Sequence, residues 1–454
     1  MELKKNEVHE TTIIDYTTEG AGVGKIDGMT VFVPSSAVGD KASVKILKVT
    51  KRYAYGKIES LAVPSPYRQT VDCPIFERCG GCTFRHISYA SELTFKQKRV
   101  QDTLTRIGGL AADLVAPIVG AASCNGYRNK AQLPVTVDKD GKVCVGFFAP
   151  RSHRVIPLES CQLQSPIFNE AIRVFLAWAN RYQVTPYDET THSGILRHLY
   201  LRYAEKTGQL MVCVVANVHE LRKSKQLVEM LVEQLPCLTT VVLNVNTEQT
   251  NVITGKECHT LYGQGFITDE LCGLSFRISP LSFYQVNRTQ AEVLYTLAAQ
   301  YAALQPHETL LDLYCGTGTI GLTMAHQVER LIGVEIIPQA VEDARRNADE
   351  NHISNAEFIC ADAAQAAIAL QQRHLHPDCI IVDPPRKGCD AALIHTIADL
   401  SPQRVVYVSC DPATLARDVK VFSDFGYTVT KAVPVDMFPR TPHVECVVLM
   451  SRNI

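Results

Sequence analysis

The sequence predicts a multidomain α/β protein, and three changes of rhythm along its 454 residues carry that prediction. Residues 8 to about 61 hold short β-favouring runs (11–14, 30–33, 42–49 and 54–58) cut by Gly-rich turns such as EGAGVG. From 126 to about 277 strands and hairpins dominate. From about 280 strands alternate with helices, the pattern of a parallel sheet covered on both faces with ligands at its strand ends. The expected division is a β unit over 1–63, an α+β unit over 64–277 and a Rossmann-like unit over 278–454.

The first unit reads as an OB-like barrel. Lys45, Lys48, Lys51, Arg52 and Lys57 interleave with Tyr53 and Tyr55, a mixture suited to nucleic-acid backbone and bases. VPSPYRQ after it reads as a linker. SELTFKQKRVQDTLTRI, 91–107, predicts an amphipathic helix ended by Gly108-Gly109. In the second unit VTVDKDGKVCVGFF carries a DG hairpin turn, and helices are expected at 166–182 and 220–234.

Composition narrows the function. The net charge of -2 leaves no global nucleic-acid footprint, so any RNA contact must come from local basic patches. No apolar window is long enough for a membrane span, and MELKKNEVHE lacks the apolar core of a signal peptide. A cytoplasmic protein is expected, its 16 cysteines reduced and available for metal binding or catalysis.

In the third unit the strand TLLDLYC runs into GTGTIG and a helix, where glycines let the backbone approach a ligand. The next strand ends in Glu335, placed to accept ribose hydroxyls, Asp362 ends the third and is a candidate for an adenine edge, and Asp383-Pro384-Pro385 ends the fourth. No GKS or GKT follows the glycines, which excludes a phosphate-cradling loop, and the glycine spacing departs from the dehydrogenase fingerprint. S-adenosylmethionine, a nucleoside without phosphates, fits best.

RVVYVSC ends the fifth strand in Cys410, and Glu445 stands in HVECVV of a closing hairpin. A cysteine there is either a buried strand residue or a nucleophile. Methylating carbon 5 of a uracil needs both a thiol and a base: a thiolate adding at carbon 6 makes carbon 5 nucleophilic, and a base then removes the carbon 5 proton.

Cys73-x5-Cys79-Gly80-Gly81-Cys82 lacks the second knuckle of a structural zinc site. Three close cysteines plus a distant one is an iron–sulfur arrangement, with Cys124, Cys144 and Cys161 as candidates for the fourth.

DPPRKG (383–388), VVYVSCDPAT (405–414) and VDMFPRTPHVE (435–445), with SPLSFYQVN (279–287), resemble the signatures of the RNA uracil-5-methyltransferases of the TrmA/RumA type, over essentially the whole chain. The resemblance implies Cys410 as nucleophile, Glu445 as base, and Gln285, Tyr314, Glu335 and Asp383 as cofactor-binding residues of a class I methyltransferase domain. It makes the barrel a TRAM domain and places the 91–107 helix on the catalytic domain. From the ribosomal-RNA branch it implies a 4Fe-4S cluster on Cys73, Cys79, Cys82 and Cys161. Arg128, Lys130 and Arg197 lie in family-like motifs as candidate RNA phosphate contacts. Two positions depart from the family: Asp411, commonly Asn, and Arg440, commonly Gln, His or Tyr.

A monomer acting on ribosomal RNA is therefore expected. A transfer-RNA enzyme and a non-catalytic assembly factor are the alternatives. A cytosine-5 enzyme would need a second catalytic cysteine, and a radical methylthiotransferase a different cysteine spacing.

Overall fold

The computed structural model describes residues 3–453. Six strands between Val8 and Val63 form the N-terminal barrel; its core is Val31, Val33, Val44, Ile46 and Ala54. The Ile14 N–H donates to Val23 O at 2.8 Å and draws the first strand back onto the third. On the barrel the rings of Phe32, Tyr53 and Tyr55 lie 5.3–5.8 Å apart.

VPSPYRQ is not a loose linker. The buried Asp40 carboxylate accepts from Ser65 N–H at 2.9 Å and from Arg68 Nε at 2.8 Å, so the segment is tied to the barrel. Beyond it runs the Tyr89–Arg106 helix, whose Ser88 N-cap accepts from Ser91 N–H at 3.3 Å. Val100 and Leu104 on this helix pack in one core with the strands of the catalytic sheet.

Seven strands between Lys130 and Tyr262 form a mixed sheet. The helices Ile167–Arg181 and Ser224–Gln234 share its core around Trp178, which is fully buried. In the expected DG hairpin, strands Lys130–Val137 and Val143–Phe148 pair around Gly141, at φ +76°. The hairpin Ile267–Leu271 and Leu274–Ile278 packs Ile267, Leu271, Phe276 and Ile278 into the core of the catalytic sheet. The catalytic unit thus takes in residues before 278, ahead of the expected boundary.

The catalytic sheet is built from β1 (Thr309–Leu313), β2 (Arg330–Glu335), β3 (Ala356–Cys360), β4 (Cys379–Val382), β5 (Arg404–Ser409), β6 (Tyr427–Val435) and β7 (Glu445–Arg452). Their order across the sheet is 3-2-1-4-5-7-6, with only β7 antiparallel to its neighbours. The four residues of β4, Cys379–Val382, are all buried, as expected where helices cover both faces. The order reverses between β1 and β4, which opens a crevice at the strand C-terminal ends. Among the described residues no helix is long and apolar enough to cross a membrane.

Candidate active site

Register alone brings five predicted side chains to one edge of the sheet. Glu335 ends β2, Tyr314 follows β1, Asp383 follows β4, Cys410 follows β5 and Glu445 starts β7, five strands adjacent in space. Ser409 pairs with Cys446 across the antiparallel β5–β7 ladder, so Cys410 and Glu445 are the next residues beyond that pair. Asp383 follows the Val382–Tyr407 pair of β4 and β5. With strands about 4.8 Å apart, the three gaps from β2 to β5 put Glu335 about 14 Å from Cys410, a span suited to an extended nucleoside ligand.

On the nucleoside side the backbone makes a tight cradle. Tyr314, Gly316 and Gly318 have φ of +66°, +56° and +81°, three left-handed residues in five. Glu335 accepts the Gly316 N–H at 3.2 Å and the Ile337 N–H at 2.9 Å. These two bonds fix the carboxylate and leave acceptor capacity for two hydroxyls. Half-buried Gln285 lies on the segment 279–287, held by Asn129 Nδ2 on Gln285 O at 2.9 Å. Asp362 follows β3 as expected, and its Oδ1 caps the helix Ala363–Gln372, accepting from Ala364 N–H at 3.0 Å and Gln365 N–H at 3.3 Å.

On the thiol side a buried carboxyl, Glu445, stands with half-buried Asp383 and Cys410 and the exposed cation Arg386. Burial pushes the Glu445 carboxyl up to about 8; neighbouring Asp383 adds to the shift and Arg386 opposes it. Burial alone lifts Asp383 to about 7. Burial, then Glu445 and Asp383, push the Cys410 thiol up to about 11, again opposed by Arg386. Arg386, from DPPRKG, was not among the predicted site residues, and its position directly after Asp383-Pro384-Pro385 was the available signal.

Asp411 caps the helix Pro412–Asp424, accepting from Ala413 N–H at 2.8 Å and Thr414 N–H at 3.3 Å, so the chain leaves β5 at Cys410. Asn and Asp cap helices equally well, which accounts for Asp at a position where the family commonly has Asn.

The second group of cysteines lies elsewhere. Cys73, Cys79, Cys82 and Cys161 line one cavity of about 130 Å³, with Arg85, Arg128 and Gln164. Cys124 and Cys144 are not among its walls. Burial raises the thiols of Cys79, Cys82 and Cys161, that of Cys82 to about 11. Among the described residues no three His, Cys, Asp or Glu side chains form a group that could hold a metal ion. The cavity is several times the ~30 Å³ share of one water, so the thiols surround a space wider than one ion. Arg85 Nε, Arg128 Nε and Gln164 Oε1 are buried without partners in its walls. The Arg85 guanidinium is paired with Asp72 at 2.8 Å, which leaves its Nε and the Arg128 guanidinium beside the four thiols, donors suited to a group of net negative charge.

The three candidate phosphate contacts separate. Arg197 is buried, and its guanidinium donates to Asn246 O, Glu248 O and Thr250 O at 2.6–2.9 Å while lying 4.5 Å from the Tyr187 ring centroid. These bonds use three of its five N–H donors, and Arg197 also lines a cavity with Tyr187 and His192. Arg128 lines the cysteine cavity. Lys130 is half-buried, and burial with the charges of Arg202 and Arg128 pushes its ammonium down to about 8.

The family model described as tRNA (Uracil-5-)-methyltransferase matches residues 264–453, and that of the TRAM domain matches residues 3–58. A protein of Clostridium tetani described as an uncharacterized RNA methyltransferase is 42% identical over 449 residues, 99% of this chain and 97% of its own. One of Halalkalibacterium halodurans is 43% identical over 449 residues, 99% of this chain and 98% of its own. Among solved structures, Pyrococcus abyssi tRNA (uracil-54, C5)-methyltransferase in complex with S-adenosyl-L-homocysteine superposes with a TM-score of 0.79 at 29% identity, covering 97% of this chain and 99% of that one.

Proposed function

The chain belongs to the RNA uracil-5-methyltransferases, S-adenosylmethionine-dependent enzymes, and from that membership we propose that it works through a covalent adduct between Cys410 and its target base. The observation that carries this reading is the placement of Cys410 and Glu445 as neighbours past the last pair of the β5–β7 ladder. When bound, S-adenosylmethionine supplies an electrophilic methyl group. Cys410 Sγ, as thiolate, bonds to carbon 6 of the uracil and pushes electrons to carbon 5, which takes the methyl group as its bond to sulfur breaks and S-adenosyl-L-homocysteine is left. Glu445 then accepts the carbon 5 proton, the Sγ–carbon 6 bond breaks, and the double bond returns with the thiolate released. Glu335, Tyr314, Asp383 and Gln285 hold the cofactor along the strand ends. The target base leaves its stack to reach the thiol.

In this reading Cys73, Cys79, Cys82 and Cys161 would hold a 4Fe-4S cluster, with Arg85 Nε and Arg128 Nε as unpartnered donors in the same cavity wall. Such a cluster would supply thiolate–iron bonds that tie the loops around Cys79 and Cys161 together. Protein purified without oxygen should absorb at roughly 400 nm, and a colourless, zinc-loaded sample would refute the assignment.

Barrel plus cysteine set favour ribosomal RNA as the substrate. One observation favours transfer RNA: the Pyrococcus abyssi tRNA enzyme superposes on 97% of this chain, so the barrel does not by itself separate the two substrates. Mapping 5-methyluridine in total RNA from cells lacking this protein decides between them. Loss of one or two ribosomal sites supports the proposal, and loss confined to transfer RNA replaces it with the alternative.

A further inference from the structure

The turn 436–444 carries the chain from β6 to Glu445, and one face of the Tyr89–Arg106 helix holds it. Glu92, Lys96 and Arg99 stand at i, i+4 and i+7 of that helix and form a single stripe. Lys96 Nζ donates to Asp436 Oδ1 at 2.7 Å and to Phe438 O at 3.1 Å. Glu92 Oε1 accepts from Lys96 Nζ at 2.7 Å and from the Arg440 N–H at 2.7 Å. Arg99 donates to Pro442 O at 2.7 Å. The stripe therefore grips alternate residues of the turn, 436, 438, 440 and 442.

The side chains of Glu92, Lys96 and Asp436 have no solvent exposure. Charges so far from water keep one arrangement only while every partner stays in place. Arg440 adds to the fixity, with a left-handed φ of +70° and a guanidinium donating to Ile87 O at 3.1 Å. The far end of this turn is the candidate base, and its near end, Val435, pairs with that base across β6 and β7.

We infer that Lys96 is a positioning residue for Glu445, the hub of a charged helix stripe that sets where the carboxylate stands over the target's carbon 5. This rests on the reading of Glu445 as the base that takes the carbon 5 proton. Lys96 itself touches no reacting atom. Without it the carboxylate drifts, proton removal slows, and the Cys410 adduct outlives its normal lifetime, whereas formation of the adduct and cofactor binding proceed as before.

The test compares full-length Lys96→Met, Glu92→Gln and Glu445→Gln with an RNA transcript and methyl-labelled S-adenosylmethionine. It follows kcat, KM, cofactor affinity and the adduct that survives denaturing electrophoresis. Glu445→Gln should strand the adduct. Lys96→Met should lose about 10-fold or more in kcat, as expected for a misplaced reacting group, and should accumulate an adduct that resolves slowly to product. Its cofactor KM should stay within about two-fold of the parent. Glu92→Gln, which keeps its shape and the Lys96–Asp436 pair, should move the same way by less, and it carries the test if Lys96→Met does not fold. A stranded adduct in Glu445→Gln together with no adduct build-up in the Lys96 and Glu92 variants overturns the positioning role alone. No adduct in Glu445→Gln overturns the reading of Glu445 beneath it, and the positioning role falls with that reading.

Discussion

The molecule gathers thiols and charges in two places, and builds the two in opposite ways. At the mouth of the catalytic sheet Tyr314, Glu335, Asp383, Cys410 and Glu445 stand at the ends of regular strands, so hydrogen-bond register spaces Asp383, Cys410 and Glu445 before any ligand arrives. Around the second cavity Cys73, Cys79, Cys82 and Cys161 come from irregular segments outside every helix and strand, with unpartnered Arg85 and Arg128 nitrogens between them. A site built on register is preorganised by the fold. A site built on loops draws its order from what it binds. Substitution in the first should therefore remove chemistry and leave the fold, and in the second should loosen the fold and spare part of the chemistry.

Cys410→Ala gives the largest effect. Turnover should fall on the order of 10⁴-fold or more, as for loss of a covalent nucleophile, with cofactor affinity kept in a calorimetric titration. Cys161→Ser should cost turnover only about 10-fold, a second-order positioning effect. The same variant should lose the absorbance at roughly 400 nm and several degrees of thermal midpoint, a few kcal/mol in a chain of this size. Equal loss of turnover in the two variants, or a fold unmoved in the second, breaks the comparison.

A third expectation concerns pH. A base works when deprotonated, and burial with Asp383 raises Glu445 to about 8. The rising limb of kcat/KM should therefore lie near 8 instead of in the ordinary carboxylate range. Arg386 is the cation that opposes the upward shift of both Glu445 and Cys410, so Arg386→Ala should move that limb to higher pH. A flat profile between about 6 and 9 would contradict the placement of Glu445 in the cleft. The smallest effect belongs to the cap that ends the thiol strand. Asp411→Asn should change stability by no more than about 0.5 kcal/mol and Asp411→Ala should cost about 1 kcal/mol, read as denaturant midpoints.

The strand-end site was legible in the sequence because it is local. An apolar run, a glycine turn and an acidic residue about twenty positions later follow directly from β–α–β periodicity. The cysteine set was half legible: the spacing of Cys73, Cys79 and Cys82 pointed to a bound group but left Cys124, Cys144 and Cys161 equivalent, the family resemblance singled out Cys161, and of the three Cys161 lines the cavity.

The rest was hidden because its partners are distant in the chain. The 91–107 segment reads as an amphipathic helix, yet its buried face includes Glu92 and Lys96, whose counter-charge, Asp436, lies 340 residues beyond Lys96. Arg197 reads as a phosphate contact because its motif is basic, and only the fold shows that three of its donors bond the loop carrying Asn246, Glu248 and Thr250. Likewise VPSPYRQ has a linker's composition, and a single carboxylate, Asp40, turns it into part of the barrel.

The central claim is that Cys410 bonds to the base and Glu445 releases it. Intact-mass analysis of Glu445→Gln after incubation with a substrate transcript and S-adenosylmethionine tests it most directly. The account predicts a one-to-one protein–RNA adduct carrying the new methyl group, mapped to Cys410 after digestion and absent from the Cys410→Ala, Glu445→Gln double variant. No adduct, or one on another cysteine, would contradict it.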